Sequence, residues 1–208
     1  MTSFGYHAGI LARFPAITGG VILARGLRND PTPAALQTAY ATEQQAVLAQ
    51  LGNTPLSEVP SLAAWRGAFR AFGVEPTQYR SAAEALLRRL TKKGDIPGIN
   101  TLVDLGNLVS IRYALPVAVF DTRQLAGAVT VQFATGTEHF LPLGETTPEH
   151  PEPGEVIFAD PTQRVIARRW CWRQSDDSAA RASTTDAIIT VEAHHAGSRA
   201  EIDAALAD

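Results

Sequence analysis

The chain has 208 residues, of which 45% are hydrophobic and 19% are charged, and its formal net charge is -3 at pH 7. These values are typical of one globular domain that buries a core of its own. The negative net charge argues against a protein that wraps nucleic acid tightly, although it leaves room for a local basic patch. No run of about 18 apolar residues occurs, so the sequence predicts no membrane-spanning helix.

Cysteine usage and the first residues of the chain indicate a compartment. Cys171 is the single cysteine, so no internal disulfide can form. Residues 1–7 lack the basic stretch and the long apolar run that are typical of a secretion signal. We therefore expect a cytoplasmic protein.

The N-terminal part carries short apolar runs and one helical pattern. Apolar runs within residues 8–27 predict two short strands. Thr32 then precedes a proline in the manner of an N-cap, and helical spacing continues as far as Gly52. We interpret residues 1–60 as strands and a helix packed on a main domain, residues 61–208.

Three further helices are predicted at the start of the main domain. The first spans residues 61–73 and carries an aromatic stripe, which helical spacing assigns to the core. The second spans residues 81–94, where Ser81 and Glu84 have the spacing of a capping box. The third spans residues 100–113.

After Pro116 the sequence pattern changes from helical to strand-like. The predicted elements are strand 117–120, strand 129–133, a hairpin of 156–158 with 165–166, strand 187–192 and a terminal helix 198–207. Helices followed by strands favour an α+β fold over alternating βαβ units. We therefore predict an α+β fold in which helices flank layered sheets that are mixed and mostly antiparallel.

An arginine-rich segment, residues 168–173, has two interpretations. As a strand it would place Trp170 and Trp172 on one face and Arg169 and Arg173 on the other. The arginines would then either cover the outer face of a half-buried strand or form a row that binds phosphate or carboxylate groups.

Three short polar side chains share one face of the predicted helix 100–113. Asn100, Asp104 and Asn107 follow one another at helical spacing. Asn100 is also explained as an N-cap, and the role of Asp104 stays open. Asn107 lies mid-helix, where asparagine is unfavourable by propensity, so it is the strongest candidate for a ligand contact.

No standard catalytic or metal-binding motif is present. Phosphate-binding loops and the nucleophile elbow are missing. His194 and His195 are adjacent, so on a strand they would face opposite sides and could not easily share a metal. Cys171 lies between two tryptophans, which favours a buried thiol over a nucleophile. We therefore expect neither a metal nor a cofactor.

Several segments together resemble the B3/B4 domain of the bacterial phenylalanyl-tRNA synthetase β subunit. These segments are Leu102–Ser110, Leu115–Asp121, Ala134–Glu138 and Glu155–Asp160. Freestanding B3/B4 proteins are the most similar, because stretches like residues 84–89 and 168–173 occur in them too. The resemblance covers roughly residues 60–195, and it implies the B3/B4 variety of the α+β fold.

The resemblance also implies a function. In the synthetase this domain is an editing module that binds the 3′ end of tRNA carrying a wrong amino acid and hydrolyses the ester. We therefore expect a metal-independent aminoacyl-tRNA deacylase that acts in trans and does not aminoacylate. Its partner would be misacylated tRNA, carrying for example tyrosine or a non-protein amino acid such as canavanine.

A non-catalytic module that binds an amino acid or RNA is the alternative. The net charge of -3 favours this alternative slightly. The arginine-rich segment favours editing. A module that associates with a synthetase is a third option, and the sequence leaves the oligomeric state open.

By the same resemblance, three groups of residues are assigned to the site. The candidate catalytic residues are Asn107, Glu138 and Thr184. The candidate substrate-binding residues are Asn100, Asp104, Gly106, Trp172 and Asp186. The candidate tRNA-binding residues are Arg88, Arg89, Arg169 and Arg173. Gly106 departs from many freestanding relatives, in which a larger residue is expected, and glycine there would enlarge the pocket.

Overall fold

A computed structural model describes residues 3–208, and these residues form helices and two β-sheets. The helices are α1 Ala8–Arg13, α2 Ala34–Leu51, α3 Pro60–Ala71, α4 Ala82–Lys93, α5 Thr101–Tyr113 and α6 Ser198–Ala207. The strands are β1 Phe4–Tyr6, β2 Thr18–Ala24, β3 Val117–Asp121, β4 Val129–Phe133, β5 Val156–Ala159, β6 Val165–Arg168, β7 Arg173–Gln174 and β8 Ala187–Ala193. The predicted α+β fold is confirmed.

The two sheets differ in size and in strand direction. The larger sheet has the order β1-β4-β5-β6-β7, in which β1 runs parallel to β4 and the other pairs are antiparallel. The smaller sheet has the order β2-β8-β3 and is antiparallel throughout. In this smaller sheet β8 is the central strand, and β3 is an edge strand.

The smaller sheet is the middle layer of the molecule. On one face of β8, Ile188 packs in a cluster with Phe158 of β5 and with Trp170, which lies in the turn after β6. Val191, on the opposite face, packs in a second cluster with helix residues such as Leu108. Because both faces of β8 are covered, its side chains are mostly buried.

Several helix ends follow the signals in the sequence. The Ser81 hydroxyl accepts a hydrogen bond from the backbone N–H of Glu84, and Gly94 ends α4 with a φ of 82°. The predicted capping box is only half formed, because the Glu84 carboxylate binds Arg66 instead. Asn100 caps α5 by accepting from the N–H of Val103.

Other boundaries differ from the prediction. Helix α3 begins at Pro60, and the Ser61 hydroxyl donates to the Ala114 carbonyl rather than capping the helix. Of the two strands predicted within residues 8–27, only Thr18–Ala24 is a strand, whereas Ala8–Arg13 is a helix. An apolar run this short has too few residues to separate the two periodicities.

The first 60 residues are hydrogen-bonded into both sheets, since β1 pairs with β4 and β2 pairs with β8. The division into residues 1–60 and 61–208 stays a prediction. Among residues 3–208, no helix combines the length and the apolar character that crossing a bilayer requires.

The predicted strand at residues 168–173 is wrong. Strand β6 ends at Arg168, and Arg169 and Trp170 adopt left-handed conformations with φ of 44° and 60°. The chain therefore turns before β7, which puts Trp170 in the core and leaves Trp172 half-buried. Left-handed backbone costs a non-glycine residue on the order of 1 kcal/mol, so the turn needs compensating contacts.

Glu155 supplies those contacts. Its carboxylate accepts two hydrogen bonds of 2.9 Å from the buried Arg168 guanidinium and one of 3.0 Å from the backbone N–H of Arg169. The side chains of Glu155 and Arg168 are only 2% and 6% exposed. A buried charge that loses its partner is strongly destabilising, so this ion pair fixes the turn.

We expect Glu155→Gln to lower the free energy of unfolding by about 3 kcal/mol, because Arg168 keeps its charge but loses its buried counter-charge. Urea denaturation measures the change. Glu149→Gln is the matched control, since Glu149 binds the same arginine but its side chain is 54% exposed, and it should cost less than about 1 kcal/mol. Equal losses in the two variants would contradict the role given to Glu155.

Candidate functional site

A cavity of about 360 Å³ opens where α5, the edge strand β3 and the 169–172 turn meet. Its volume is within the range of small-molecule pockets. Its apolar walls are formed by Phe120, Phe158 and Trp170. Strand β8 contributes two polar lining residues, Thr190 and Glu192. The rim consists of Ile99, Leu143, Trp172, Arg173 and Arg181.

The outer edge of β3 is open at Val117, whereas further along the Val119 carbonyl accepts from Gln174 and Phe120 bridges to Ala179. The Glu192 N–H donates to the Pro116 carbonyl, and the Thr122 N–H donates to the Asp186 carbonyl. In an antiparallel ladder every second residue hydrogen-bonds to its partner strand. Pro116 and Thr122 do so with β8 and the residue before it, so the N–H and C=O of Val117, next to Pro116, point away from β8. A ligand in the cavity can therefore pair with the Val117 backbone as a short additional strand would.

Asn107 and Gly106 bring α5 to the same cavity. Among residues 3–208 the Asn107 amide has no hydrogen bond of ordinary length, but it interacts with the phenol of Tyr40, whose pKa it lowers in part. A Cβ at Gly106 would lie 3.1 Å from Val119 Cγ2 and 3.6 Å from Val117 Cγ1. Glycine therefore lets α5 approach β3 closely at the cavity wall.

Asn100 and Asp104 hold the start of α5 instead of lining the cavity. The Asn100 amide donates to the Ala180 carbonyl. The buried Asp104 carboxylate accepts from the N–H of Ile99 at 2.8 Å and from the Thr32 hydroxyl at 2.5 Å. Both side chains already have structural partners.

Glu138 also lies outside the cavity lining. Burial would raise the pKa of its carboxyl, but hydrogen bonds from the backbone of Thr135 and Gly136 lower that pKa overall. Glu138 is 2% exposed and closes its own turn, with N–H donors at 2.9 Å from Thr135 and 3.0 Å from Gly136. Its carboxylate is therefore ionised and structurally committed.

Thr184 and Asp186 lie at the entrance to β8, away from the cavity lining. The buried Thr184 hydroxyl donates to Asp121 at 2.5 Å and accepts from the N–H of Arg181 at 2.8 Å. Asp186 lines a separate depression together with Arg123. The structure thus places Asn107, Gly106, Trp172 and Arg173 together and leaves the other candidates apart.

Stacked arginines cover the turn beside the cavity mouth. The Arg169 guanidinium carbon lies 3.9 Å from the centroid of the Tyr79 ring and 4.7 Å from that of Trp172. The corresponding distance from Arg173 to Trp172 is 5.6 Å. Cation–π contacts order an arginine while leaving its N–H donors able to bind anions. Arg169 is only 13% exposed and lies 3.8 Å from the Glu155 carboxylate, so the exposed Arg173 is the better placed of the two for an anion.

The two arginines of α4 lie elsewhere. Arg88 and Arg89 lie towards the end of α4, outside the cavity lining. Arg89 donates to the Asp95 carbonyl at 3.2 Å. Arg181, which lines the cavity, was not singled out from the sequence.

Glu192 is the functional candidate that the sequence reasoning missed. It is 2% exposed, and its Oε1 accepts from the Tyr6 hydroxyl at 2.7 Å and from Trp170 Nε1 at 3.1 Å. Its Oε2 receives no hydrogen bond from residues 3–208, and the side chain lines the cavity. A glutamate inside the apolar strand Ala187–Ala193 is the signal that would have found it.

The electrostatics of Glu192 set it apart. Burial raises the pKa of its carboxyl from the ordinary 4.5 to about 7, although the hydrogen bonds from Tyr6 and Trp170 lower that pKa in part. A ligand that donates a hydrogen bond or carries a positive charge would stabilise the ionised carboxylate. The polar end of the cavity is therefore suited to a hydrogen-bond donor.

The fold and site describe an α+β domain with a ligand cavity along a sheet edge. The B3/4 domain family model matches residues 64–203, so the chain belongs to the B3/4 domain family. This range contains α5, β3, the 169–172 turn and β8, and it leaves out β1 and β2. The resemblance to B3/B4 domains expected from the sequence is confirmed.

No curated protein matches the chain. Among solved structures, an N-terminal fragment of the phenylalanyl-tRNA synthetase β subunit from Pyrococcus horikoshii is similar, with 11% sequence identity and a TM-score of 0.48. The match covers 99% of this chain and 48% of that one, so this chain spans about half the length of the fragment.

We expect the stability of the protein to fall between pH 4.5 and 7 through Glu192, whose pKa is raised on folding. In that window the folded state binds more protons than the unfolded state, so its stability decreases as pH rises. Glu192→Gln should remove this dependence. The free energy of unfolding of the variant, relative to that of wild type, should therefore rise by about 3 kcal/mol from pH 4.5 to 7. Urea denaturation at several pH values measures it.

Glu145→Gln, which alters an exposed carboxylate, is the charge-matched control and should follow the wild-type pH profile. A stability difference between Glu192→Gln and wild type that does not change with pH would show that Glu192 titrates normally.

Proposed function

We propose that this chain is a cytoplasmic aminoacyl-tRNA deacylase that acts in trans on misacylated tRNA. Membership of the B3/4 domain family supports a relationship to editing domains. The observation that carries the proposal is that one cavity brings together three hydrogen-bonding groups that a ligand can reach. These groups are the Val117 backbone, the Asn107 amide and Glu192 Oε2.

These groups match the parts of an aminoacyl ester. The main chain of the amino acid pairs with the open edge of β3 at Val117, as an added strand does. Its side chain then extends between the apolar walls towards Glu192. The ribose and the 3′ end stay at the rim, beside Trp172 and Arg173.

The chemistry requires little beyond positioning. An aminoacyl ester is already activated, so a site can accelerate hydrolysis by orienting water and stabilising the oxyanion. Asn107 and the Val117 N–H are the donors that we assign to these roles. Water adds to the ester carbonyl, the bond to the ribose oxygen breaks, and that oxygen takes the proton that the water gives up as the free amino acid leaves.

Glu138 and Thr184 take a supporting part in this proposal. Both are buried outside the cavity lining: Glu138 is hydrogen-bonded within its own turn, and Thr184 ties the loop before β8 to Asp121 on β3. We propose that they maintain the loops around the site, while Asn107 acts on the substrate.

The Glu192 carboxylate narrows the substrate class. An acceptor at the end of an apolar cavity favours side chains that end in a hydrogen-bond donor, such as tyrosine, arginine or canavanine. A phenylalanine side chain would leave Oε2 without a partner. Leaving a buried acceptor unpaired costs about 1–3 kcal/mol, so phenylalanyl esters should be hydrolysed less efficiently.

The alternative is a module that binds a free amino acid without catalysis. The net charge of -3 favours it, since acidic chains hold RNA weakly. Ester loss from tRNAs charged with phenylalanine, tyrosine, arginine and canavanine separates the two functions. No ester loss on any tRNA, together with thermal stabilisation by a free amino acid, would support the binding module.

We expect Asn107→Ala to lower kcat for deacylation by about 100-fold, because it removes a donor to the developing oxyanion. The measurement is ester loss from tRNAs charged with phenylalanine, tyrosine, arginine and canavanine. Asn100→Ala is the matched control from the same helix. It removes an N-cap at a cost of about 1 kcal/mol of stability and should leave kcat unchanged. Unchanged hydrolysis in Asn107→Ala would overturn its role.

We expect Arg173→Ala to raise KM for misacylated tRNA about tenfold with little change in kcat, because a rim arginine contacts phosphate rather than the ester. The slope of binding against salt should also become shallower by about one ion. Arg199→Ala is the control, since Arg199 pairs with Asp203 on α6, away from the cavity. A fall in kcat alone would contradict this assignment.

A further inference from the structure

The N-terminal strand reaches the polar end of the cavity. Tyr6 lies on β1, outside residues 64–203 that the family model covers. Parallel pairing of β1 with β4 places Tyr6 opposite Val131. From there its hydroxyl donates to Glu192 Oε1 at 2.7 Å.

Gly19 provides the space that this contact needs. In the β2–β8 ladder Gly19 is the direct partner of Glu192. A Cβ at Gly19 would collide with the Tyr6 hydroxyl and would lie 3.2 Å from the ring carbon that carries it. The Tyr6 phenol on β1 and the space left by Gly19 on β2 are therefore both supplied by the first two strands of the chain.

Two donors on one oxygen fix the orientation of the carboxylate. Tyr6 and Trp170 both bind Oε1 of Glu192, so Oε2 is left as the oxygen without a protein partner among residues 3–208. If the Tyr6 hydroxyl were absent, Glu192 could rotate and share Trp170 between its oxygens. The direction in which Oε2 faces therefore depends on Tyr6.

The neighbouring titratable groups do not compete for this role. Two such groups interact with Glu192, the Tyr6 phenol and the Cys171 thiol, and burial together with the Glu192 charge raises the pKa of each. Both stay neutral near pH 7, so the phenol remains a donor. Arg173 and Arg181 are the charged residues on the rim of the same cavity.

We propose that Tyr6 is a positioning residue, which holds Glu192 Oε1 so that Oε2 is presented to the side chain of the bound amino acid. The first strands of this chain are then part of the specificity site. The consequence for substrate choice rests on the proposed function. The effect of Tyr6 on Glu192 does not, so it can be tested without substrate.

The substrate-free test uses the Trp170 indole as a reporter. Because Trp170 Nε1–H donates to Glu192, its NMR signal in protein labelled with 15N-tryptophan follows the titration of the carboxyl near pH 7. His194 also packs on this ring, with the ring centroids 4.7 Å apart, but burial lowers its pKa to about 4, so it titrates at lower pH. Tyr6→Phe keeps the ring but removes the donor that stabilises the ionised form. We expect the titration midpoint to move up by about one pH unit.

Gly19→Ala tests the same contact from the other strand. It should displace the Tyr6 hydroxyl and raise the midpoint in the same direction. In the double variant Tyr6→Phe with Gly19→Ala, the second substitution should add little, because the hydroxyl it displaces is already gone. Tyr113→Phe, which removes a phenol bound to Asp208, is the control and should leave the midpoint unchanged.

Selectivity supplies the second readout. Tyr6→Phe should lower the preference for tyrosyl over phenylalanyl esters about tenfold, with little change in kcat/KM for the phenylalanyl ester. An unchanged midpoint in both Tyr6→Phe and Gly19→Ala would overturn the positioning role. A shifted midpoint in a protein that hydrolyses no ester would support that role and overturn the proposed function instead.

Discussion

A carboxylate buried inside a sheet has to be given hydrogen-bond donors, and this requirement organises the centre of the molecule. Glu192 lies on β8, which is covered by helices on one face and by the larger sheet on the other. Its donors come from two separate segments, Tyr6 on β1 and Trp170 in the turn after β6. Both donors bind Oε1, and the Glu192 side chain lines the cavity with Oε2 as the oxygen that receives no hydrogen bond from residues 3–208.

The turn that carries Trp170 depends on a second buried charge. Glu155 binds the Arg168 guanidinium and the backbone of Arg169, which holds two non-glycine residues in the left-handed region. That turn brings Trp170 into the core and Trp172 to the rim. The core and the candidate site are therefore coupled through one ion pair, and the edge of β3 stays open beside them.

Much of the helical part was predictable, because its signals are local. Asn100, Ser81 and Gly94 mark helix ends within a few residues of where they occur. The α+β class also followed from the order of the elements, and helical spacing made Asn107 a candidate for a ligand contact. The short apolar run at Ala8–Arg13 was misassigned, since six residues do not distinguish a helix from a strand.

The sequence by itself determined the α+β class and most of the helix ends, and it indicated the family. Only the tertiary structure decided which polar residues share the cavity. Tyr6 and Glu192 are 186 positions apart, and no local pattern relates them. Glu138 accepts hydrogen bonds within its own loop, and Thr184 donates to Asp121, which lies 63 positions away on β3. The reason is physical: capping and periodicity act between neighbours, whereas burial of a charge is set by whatever elements pack around it.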